Sequence, residues 1–171
     1  MKVYLLGLPG SGKSTLGQPF AKGLELPFYD LDKLIEEQEG MPVPDIFSKQ
    51  GEKHFRKVEA ALLRSFSESH SHFVLSTGGG TPCFHEGMDY MQEHGVTLYL
   101  DVSFEELANR MGREEIKQRP LMQGLAHQKR LAADLKDRFA HRLRTYRKAS
   151  LLLKGDDLQT GDLLRAFAER Q

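Results

Sequence analysis

The chain has 171 residues, 39% of them apolar, which is enough for one compact domain with a single core. Basic and acidic residues both number 24, so the chain lacks the overall charge bias that nucleic-acid or anionic-membrane binding usually leaves. The single cysteine, Cys83, excludes an internal disulfide framework, and neither a membrane-length apolar run nor a signal-peptide pattern is found, so we expect a cytoplasmic protein.

Short apolar stretches alternate with longer helical patterns along the chain. Each strand-like stretch precedes one or more helical segments, and the five stretches are KVYLLG, PFYDLD, HFVLSTGGG, VTLYLDV and SLLLKG. This alternation predicts an α/β fold in three layers, with a parallel sheet of about five strands and helices on both faces. Two helix starts are also predicted, one at Ser103, with Glu106 three residues on as in a capping box, and one at Thr160.

The first strand runs into the segment GLPGSGKST, from Gly7 to Thr15, which fits the phosphate-loop pattern G-x-x-x-x-G-K-[ST] completely. Its glycines let backbone N–H groups turn around phosphate oxygens, and the following helix adds its positive end. Lys13 is expected to reach the β- and γ-phosphates, and the Ser14 hydroxyl to bind Mg²⁺. A glycine-rich turn that binds nothing is the alternative, but the strand–loop–helix context favours the phosphate site.

The second strand ends in Asp30-Leu31-Asp32. If the strand continues, carboxylates two residues apart point the same way, so both would face the phosphate cleft, one toward Mg²⁺ and one toward a hydroxyl proton. Alternatively, one of them only caps the helix that follows. Asp101, which ends the fourth strand, is a rival for the metal role, and Asp30 is preferred.

The third strand ends in Ser76-Thr77 followed by three glycines, Gly78 to Gly80. Consecutive glycines at a strand end indicate a close approach by a ligand, or else a tight turn. Ser76 would lie near the phosphate loop and contribute to the water shell of the metal.

Residues 113–127 interrupt the pattern with charges, Pro120 and Gly124, and they are predicted to form a mobile surface lid. Between Arg110 and Lys148 there are 12 basic and 4 acidic residues, so this half of the chain carries a local cationic surface despite overall neutrality. A lid arginine, Arg119, would close over the transferring phosphate. Considered in isolation, Arg56 is predicted to lie on a solvent-exposed face of a helix.

The Asn-Lys-x-Asp motif that recognises guanine and the switch motif Asp-x-x-Gly are both absent from the sequence, which argues against a GTPase. A small-molecule kinase is therefore the simplest interpretation. The ordered series GLPGSGKST, DLD, FR in GEKHFRKVE, STGGG, RP and Arg142-x-x-x-Tyr146 resembles the shikimate kinases over nearly the whole chain. That resemblance implies a single domain of the nucleoside monophosphate kinase type that phosphorylates the 3-hydroxyl of shikimate with ATP. It also implies a monomer that acts on small molecules and binds neither nucleic acid nor membrane.

The resemblance further implies roles for individual residues. ATP would be held by residues 10–15 of the loop (Gly10, Ser11, Gly12, Lys13, Ser14, Thr15), with Arg110 along the adenine and Arg119 on the phosphates. Shikimate would be held by Asp32, Arg56, Gly78, Gly79, Gly80 and Arg142, with the two arginines on its carboxylate. Catalysis would depend on Lys13, Asp32 and Arg119, and Mg²⁺ on Ser14 directly and on Asp30 and Ser76 through water.

Three alternatives remain open at this point. Arg144 stands where relatives usually carry proline, so the carboxylate role falls to Arg142 or Arg144. Residues 155–160 match the family weakly, and no adenine contact is assigned there. A kinase for another sugar acid such as gluconate, or a nucleotide-binding switch or scaffold without kinase activity, would also contain the phosphate loop.

Overall fold

The computed structural model of the protein describes residues 1–111 and 130–170. The lid predicted at 113–127, together with Arg119, lies outside these residues. The strands are β1 (Lys2–Leu6), β2 (Phe28–Asp30), β3 (Phe73–Ser76), β4 (Val96–Asp101) and β5 (Leu151–Lys154). The helices are α1 (Lys13–Gly23), α2 (Leu31–Glu39), α3 (Val43–Ser69), α4 (Gly87–His94), α5 (Phe104–Arg110), α6 (Leu131–Tyr146) and α7 (Thr160–Ala168), with a 3₁₀ turn at Thr81–Cys83.

The five strands form one sheet in the order β2-β3-β1-β4-β5, and every neighbouring pair is parallel. Side chains of the central strand β1 alternate between two apolar layers. Val3 and Leu5 join the core under α1 and α7, whereas Tyr4 and Leu6 join the core on the opposite face. The predicted parallel sheet with helices on both faces is thus confirmed.

Ser103 is the N-cap of α5 as predicted, whereas Thr160, predicted to precede the last helix, is already its first residue. The Ser103 hydroxyl accepts from the Glu106 N–H at 3.1 Å, as predicted, but the Glu106 carboxylate accepts from Arg110 at 2.8 Å instead of completing a capping box. The cap of α7 is Gln159, one residue before Thr160, because the Asp162 carboxylate accepts the Gln159 N–H at 2.9 Å.

Helix α3 is interrupted at Gly51, where φ is 83° and ψ is 165°. The interruption ends the helical segment that starts at Val43, and a second helical segment then carries Arg56 and Glu59 toward the sheet. Within residues 1–111 and 130–170, no helix is both long enough and apolar enough to cross a membrane.

Helix α1 packs closely against the sheet at Gly17. A Cβ atom added there would fall 2.5 Å from the Phe28 ring and 2.7 Å from a Leu5 methyl group. This close packing fixes the helix that follows the phosphate loop.

We therefore expect Gly17→Ala to lower the free energy of unfolding by about 1–3 kcal/mol, because the added methyl group overpacks the α1–sheet contact. Urea denaturation monitored by circular dichroism measures this change. Gly161→Ala in α7 is the matched control: no atom lies within 4 Å of its Cβ position, so the same substitution should stabilise the protein by about 0.4–1 kcal/mol. Equal effects of the two substitutions would contradict the packing argument.

Candidate functional site

A cleft of about 940 Å³ opens at the carboxyl ends of the strands. Its walls come from the loop after β1, the β2–α2 junction, the segment after β3, Arg110 of α5 and the segment after β5. Ligands of open parallel sheets bind at this edge. The cleft thus gathers most of the site predicted from the sequence, and the segment after β5 is an addition to it.

The phosphate loop forms one wall of the cleft. Gly10 and Gly12 adopt left-handed φ values of 82° and 91°, which bend the loop in a way that residues with side chains rarely follow. Lys13 is the first residue of α1, and its ammonium group donates to the carbonyls of Gly7 at 2.8 Å and Leu8 at 3.1 Å. The positive end of α1 and the Lys13 charge therefore lie at the same end of the cleft.

Three oxygen-bearing side chains meet beside this loop. The Ser14 hydroxyl donates to Asp30 Oδ2 at 2.8 Å and lies 3.4 Å from the Ser76 hydroxyl. The sheet register pairs Asp30 with Ser76 directly, which explains their proximity. Asp101 instead accepts from the Tyr99 hydroxyl at 2.9 Å and does not line the cleft, whereas Asp30 does. The metal role of Asp30 stays a prediction.

Asp30 both caps α2 and faces the cleft, so the two interpretations of this residue are compatible. Its second oxygen, Oδ1, accepts from the Asp32 N–H at 3.1 Å. The strand ends at Asp30 and does not continue, so the expectation that strand alternation aligns the two aspartates is wrong. Asp32 nevertheless lines the cleft from the first turn of α2.

Arg56 is buried, with only 4% of its surface exposed, which overturns its interpretation as a solvated helix residue. Its Nη1 donates to Glu59 at 2.8 Å, and its guanidinium lies 4.4 Å from the centre of the Phe84 ring. Glu59 is also buried and accepts from the Thr81 hydroxyl at 2.6 Å. A Cβ atom at Gly80 would fall 2.5 Å from the Arg56 guanidinium, so only glycine permits this approach.

The residues of the Arg142-x-x-x-Tyr146 pattern lie one turn apart on the buried side of α6. The Arg142 Nη1 donates to the Gly79 carbonyl at 2.8 Å, and the Tyr146 hydroxyl donates to the same oxygen. Burial raises the pKa of Tyr146, so its hydroxyl stays a neutral donor. Arg144 is exposed to solvent, whereas Arg142 is buried.

Arg56 and Arg142 therefore reach adjacent glycines from two different helices. Both guanidinium groups also act on Cys83: burial raises the pKa of this thiol, and the two positive charges oppose the increase. The remaining glycine, Gly78, lies against Asp32 and Glu59, since a Cβ atom there would be 3.0 Å and 2.6 Å from their carboxylate oxygens. The three glycines, called the triglycine floor below, thus lie between the two buried arginines on one side and Asp32 of the cleft on the other.

At the opposite end, Arg110 lies beside the phosphate loop. Its Nε donates to Glu106 at 2.8 Å, its Nη2 donates to the Asp156 carbonyl, and its Nη1 is 3.5 Å from the Gly10 carbonyl. The Asp156 carboxylate accepts from both the N–H and the hydroxyl of Ser103 at 2.8 Å each. The Ser103 N–H, and then its hydroxyl, hold the pKa of the Asp156 carboxyl below its usual value.

Several contributors were missed by the sequence interpretation. Glu59 had a usable signal, because it stands three residues after Arg56 and shares its helix face. Thr81 and Asp156 had none, since their partners are distant in the chain. Across residues 1–111 and 130–170, no cluster of three histidine, cysteine or acidic side chains is placed to hold a metal ion, and the histidines that flank Ser71 contact the Phe66 carbonyl and the N-terminal amine.

Comparison with known proteins adds independent information. A family model described as shikimate kinase matches residues 9–170 of the chain. A shikimate kinase from Aquifex aeolicus is 38% identical over 156 residues, which cover 91% of this chain and 88% of that protein. The crystal structure of a shikimate kinase from Bacteroides thetaiotaomicron has a TM-score of 0.87 at 33% identity and covers 99% of this chain and 97% of that one.

A shikimate kinase from Acinetobacter baumannii, solved in complex with shikimate, has a TM-score of 0.87 at 30% identity, with 99% of this chain and 91% of that chain covered. The matched residues include the phosphate loop from Pro9 onward, the triglycine segment and both buried arginines. Sequence, fold and family model agree over nearly the full length. The chain belongs to the shikimate kinase family.

Proposed function

We propose that the protein transfers the γ-phosphoryl group of ATP to the 3-hydroxyl of shikimate, giving shikimate 3-phosphate and ADP. The observation that carries the proposal is the pair of buried arginines at Gly79 and Gly80. Arg56 and Arg142 come from different helices and lie against Gly80 and Gly79, and Gly79 lines the cleft beside the phosphate loop. Two guanidinium groups in a buried site match a small acceptor that carries a carboxylate.

Arg142 has capacity for such a ligand. Its Nη1 is engaged by Gly79, but its buried Nε has no hydrogen-bond partner within the described part of the chain. A buried donor left in this state costs free energy unless a ligand satisfies it. A carboxylate oxygen of the acceptor would complete this donor, whereas Arg144 points to solvent and cannot serve the same site.

Asp32 is the group that we assign to the acceptor hydroxyl. It lines the cleft between the phosphate loop and the triglycine floor. When the 3-hydroxyl oxygen attacks the γ-phosphorus, the bond to the β–γ bridging oxygen breaks and the hydroxyl proton must leave. Asp32 would orient this hydroxyl and accept its proton.

Lys13, at the positive end of α1, would stabilise the charge that develops on the phosphoryl oxygens during transfer. Arg119 is proposed to share this role from the lid, together with the backbone N–H groups of residues 10–15. Arg110 would lie along the adenine. Backbone groups of residues 78–80 would contact the ring hydroxyls of shikimate.

Ser14, Asp30 and Ser76 fit Mg²⁺ by the chemistry of their donors. All three present oxygen, which hard divalent cations prefer, and the Ser14 and Asp30 oxygens are already 2.8 Å apart. Ser14 would bind the ion directly, and Asp30 and Ser76 would hold its water ligands. A bound Mg²⁺ ion neutralises phosphate charge during the transfer. The monomeric state, the cytoplasmic location and the absence of nucleic-acid and membrane partners stay predictions.

The direct test measures ADP release with Mg²⁺-ATP and a series of acceptors. We expect turnover with shikimate and only background release with gluconate, quinate, AMP or no acceptor, because the paired arginines and Asp32 select a carboxylate with a suitably placed hydroxyl. Turnover with gluconate but not with shikimate would show that the acceptor is gluconate and that the assignment of shikimate is wrong. Slow release of ADP at the same rate with every acceptor and without any would indicate a nucleotide switch.

Replacing the proposed carboxylate ligand should affect one substrate only. We expect Arg142→Met to raise the KM for shikimate by at least about tenfold, because a charge-assisted hydrogen bond contributes roughly 1.5–3 kcal/mol. Methionine places an apolar side chain of similar length against the Phe139 ring, whose centre lies 4.7 Å from the Arg142 guanidinium. The KM for ATP should change less than about twofold. Arg144→Met on the same helix is the control, and equal effects of the two changes would contradict the assignment.

Removing the charge at the phosphate loop should abolish turnover without unfolding the protein. Loss of one preorganised transition-state donor typically lowers kcat about 100- to 1000-fold, and we expect a loss of at least this size for Lys13→Ala. Lys22→Ala, at the exposed far end of α1, should retain wild-type kcat. Steady-state assays and circular dichroism together check both variants, and near-normal turnover of Lys13→Ala would refute the role given to the loop.

A further inference from the structure

Asp156 forms a bridge between two segments that are far apart in the chain. One carboxylate oxygen accepts from the Ser103 N–H and the other from the Ser103 hydroxyl, both at 2.8 Å. Asp156 directly follows Gly155, whose N–H donates to the Asp101 carbonyl at 3.1 Å. The segment after β5 is thereby fixed to the segment after β4.

Ser103 is itself the N-cap of α5. Its hydroxyl oxygen accepts from the Glu106 N–H while its hydroxyl hydrogen is available to Asp156. Because Asp156 takes the Ser103 N–H, the Glu106 side chain is not needed as a reciprocal cap. Glu106 instead binds Arg110 at the other end of the same helix.

The three nitrogens of the Arg110 guanidinium all point at protein acceptors. These are the Glu106 carboxylate, the Asp156 carbonyl and, at 3.5 Å, the Gly10 carbonyl. Hydrogen bonds of a guanidinium lie in its plane. Three of the five N–H donors on the edge of Arg110 are thus directed at the protein. A flat guanidinium face stacks on aromatic rings, so the face of Arg110 is the part that suits a planar ligand.

We infer that Asp156 is a positioning residue for the nucleotide base, because its bridge to Ser103 holds Arg110 and residues 157–159 as two fixed walls at one end of the cleft. Asp156 does not line the cleft, whereas Arg110, Leu158 and Gln159 do. A pocket whose walls are already fixed loses less conformational entropy when a ligand enters. This inference rests on the proposed function in that it takes ATP as the ligand of this end.

The bridge consists of charge-assisted bonds to an ionised group. The Ser103 N–H, and then its hydroxyl, lower the pKa of the Asp156 carboxyl, which shows that the two bonds favour its ionised form. Loss of the side chain removes both bonds at once. The Asp156 carbonyl that receives Arg110 remains, but the segment that carries it is no longer attached to α5.

The test is calorimetric binding of Mg²⁺-ADP and Mg²⁺-ATP to the full chain without any acceptor, together with binding of shikimate alone. For Asp156→Ala we expect the Kd for both nucleotides to rise about five- to twentyfold, with the Kd for shikimate within about twofold of wild type. Asp89→Ala, which removes an exposed carboxylate from the first turn of α4, should leave all Kd values unchanged.

Two further variants separate positioning from general stability. Asp156→Asn keeps one acceptor for the Ser103 N–H, so its nucleotide affinity should fall between those of wild type and Asp156→Ala. Ser103→Ala combined with Asp156→Ala should weaken binding by less than the product of the two single effects, because the hydroxyl bond that Ser103→Ala removes is one of the two bonds that Asp156→Ala removes. The Asn variant also tests the inference if the Ala variant does not fold.

Nucleotide affinity of Asp156→Ala within twofold of wild type would overturn the inference, as would an equal loss of shikimate affinity. These binding measurements need no turnover. If the wild type shows no shikimate-dependent turnover, the proposed function is wrong and the positioning role is unaffected. If the wild type turns over shikimate and Asp156→Ala binds nucleotide as tightly as the wild type, only the positioning role is wrong.

Discussion

Parallel pairing of β1, β2 and β3 is the constraint on which the site depends. Parallel strands end at the same edge of a sheet, and here the register sets Leu5 and Asp30 on either side of Ser76. The phosphate loop, Asp30 and the triglycine segment therefore begin at one level. A slip of one residue in β3 would turn Ser76 away from Ser14 and invert the two faces of the strand. The hydrophobic cores on both faces make such a slip costly.

Two ends of the cleft are built by different physical means. The acceptor end is buried, and its order comes from an ion pair between Arg56 and Glu59 and from side chains that press on glycines. The nucleotide end is exposed, and its order comes from hydrogen bonds that join loop segments across the sheet edge. Burial limits the movement of the first end, and we propose that the exposure of the second end allows ATP and ADP to exchange there.

Most of the fold and the phosphate loop could be predicted from the sequence, because strand alternation and the glycine-lysine pattern are local signals. Asp30 and Asp32 were correctly placed at the cleft but by the wrong argument, since the strand ends between them. The burial of Arg56 could not be foreseen, because the sequence does not reveal that Phe84 and Gly80 pack against it from elsewhere in the chain. Asp156 was passed over for the same reason, as its partner stands 53 positions earlier.

The Arg56–Glu59 pair limits how the proposed acceptor site can change over evolutionary time. Removing one member of a buried ion pair typically costs about 3–5 kcal/mol, a large share of the roughly 5–15 kcal/mol by which a domain is stable. Either single replacement therefore lowers the stability of the whole fold, and replacement of Arg56 also removes a residue that we propose to bind the acceptor. A descendant with a new acceptor would have to replace Arg56 and Glu59 together, or keep both and reshape the opposite wall, where Asp32 sits on a helix of its own.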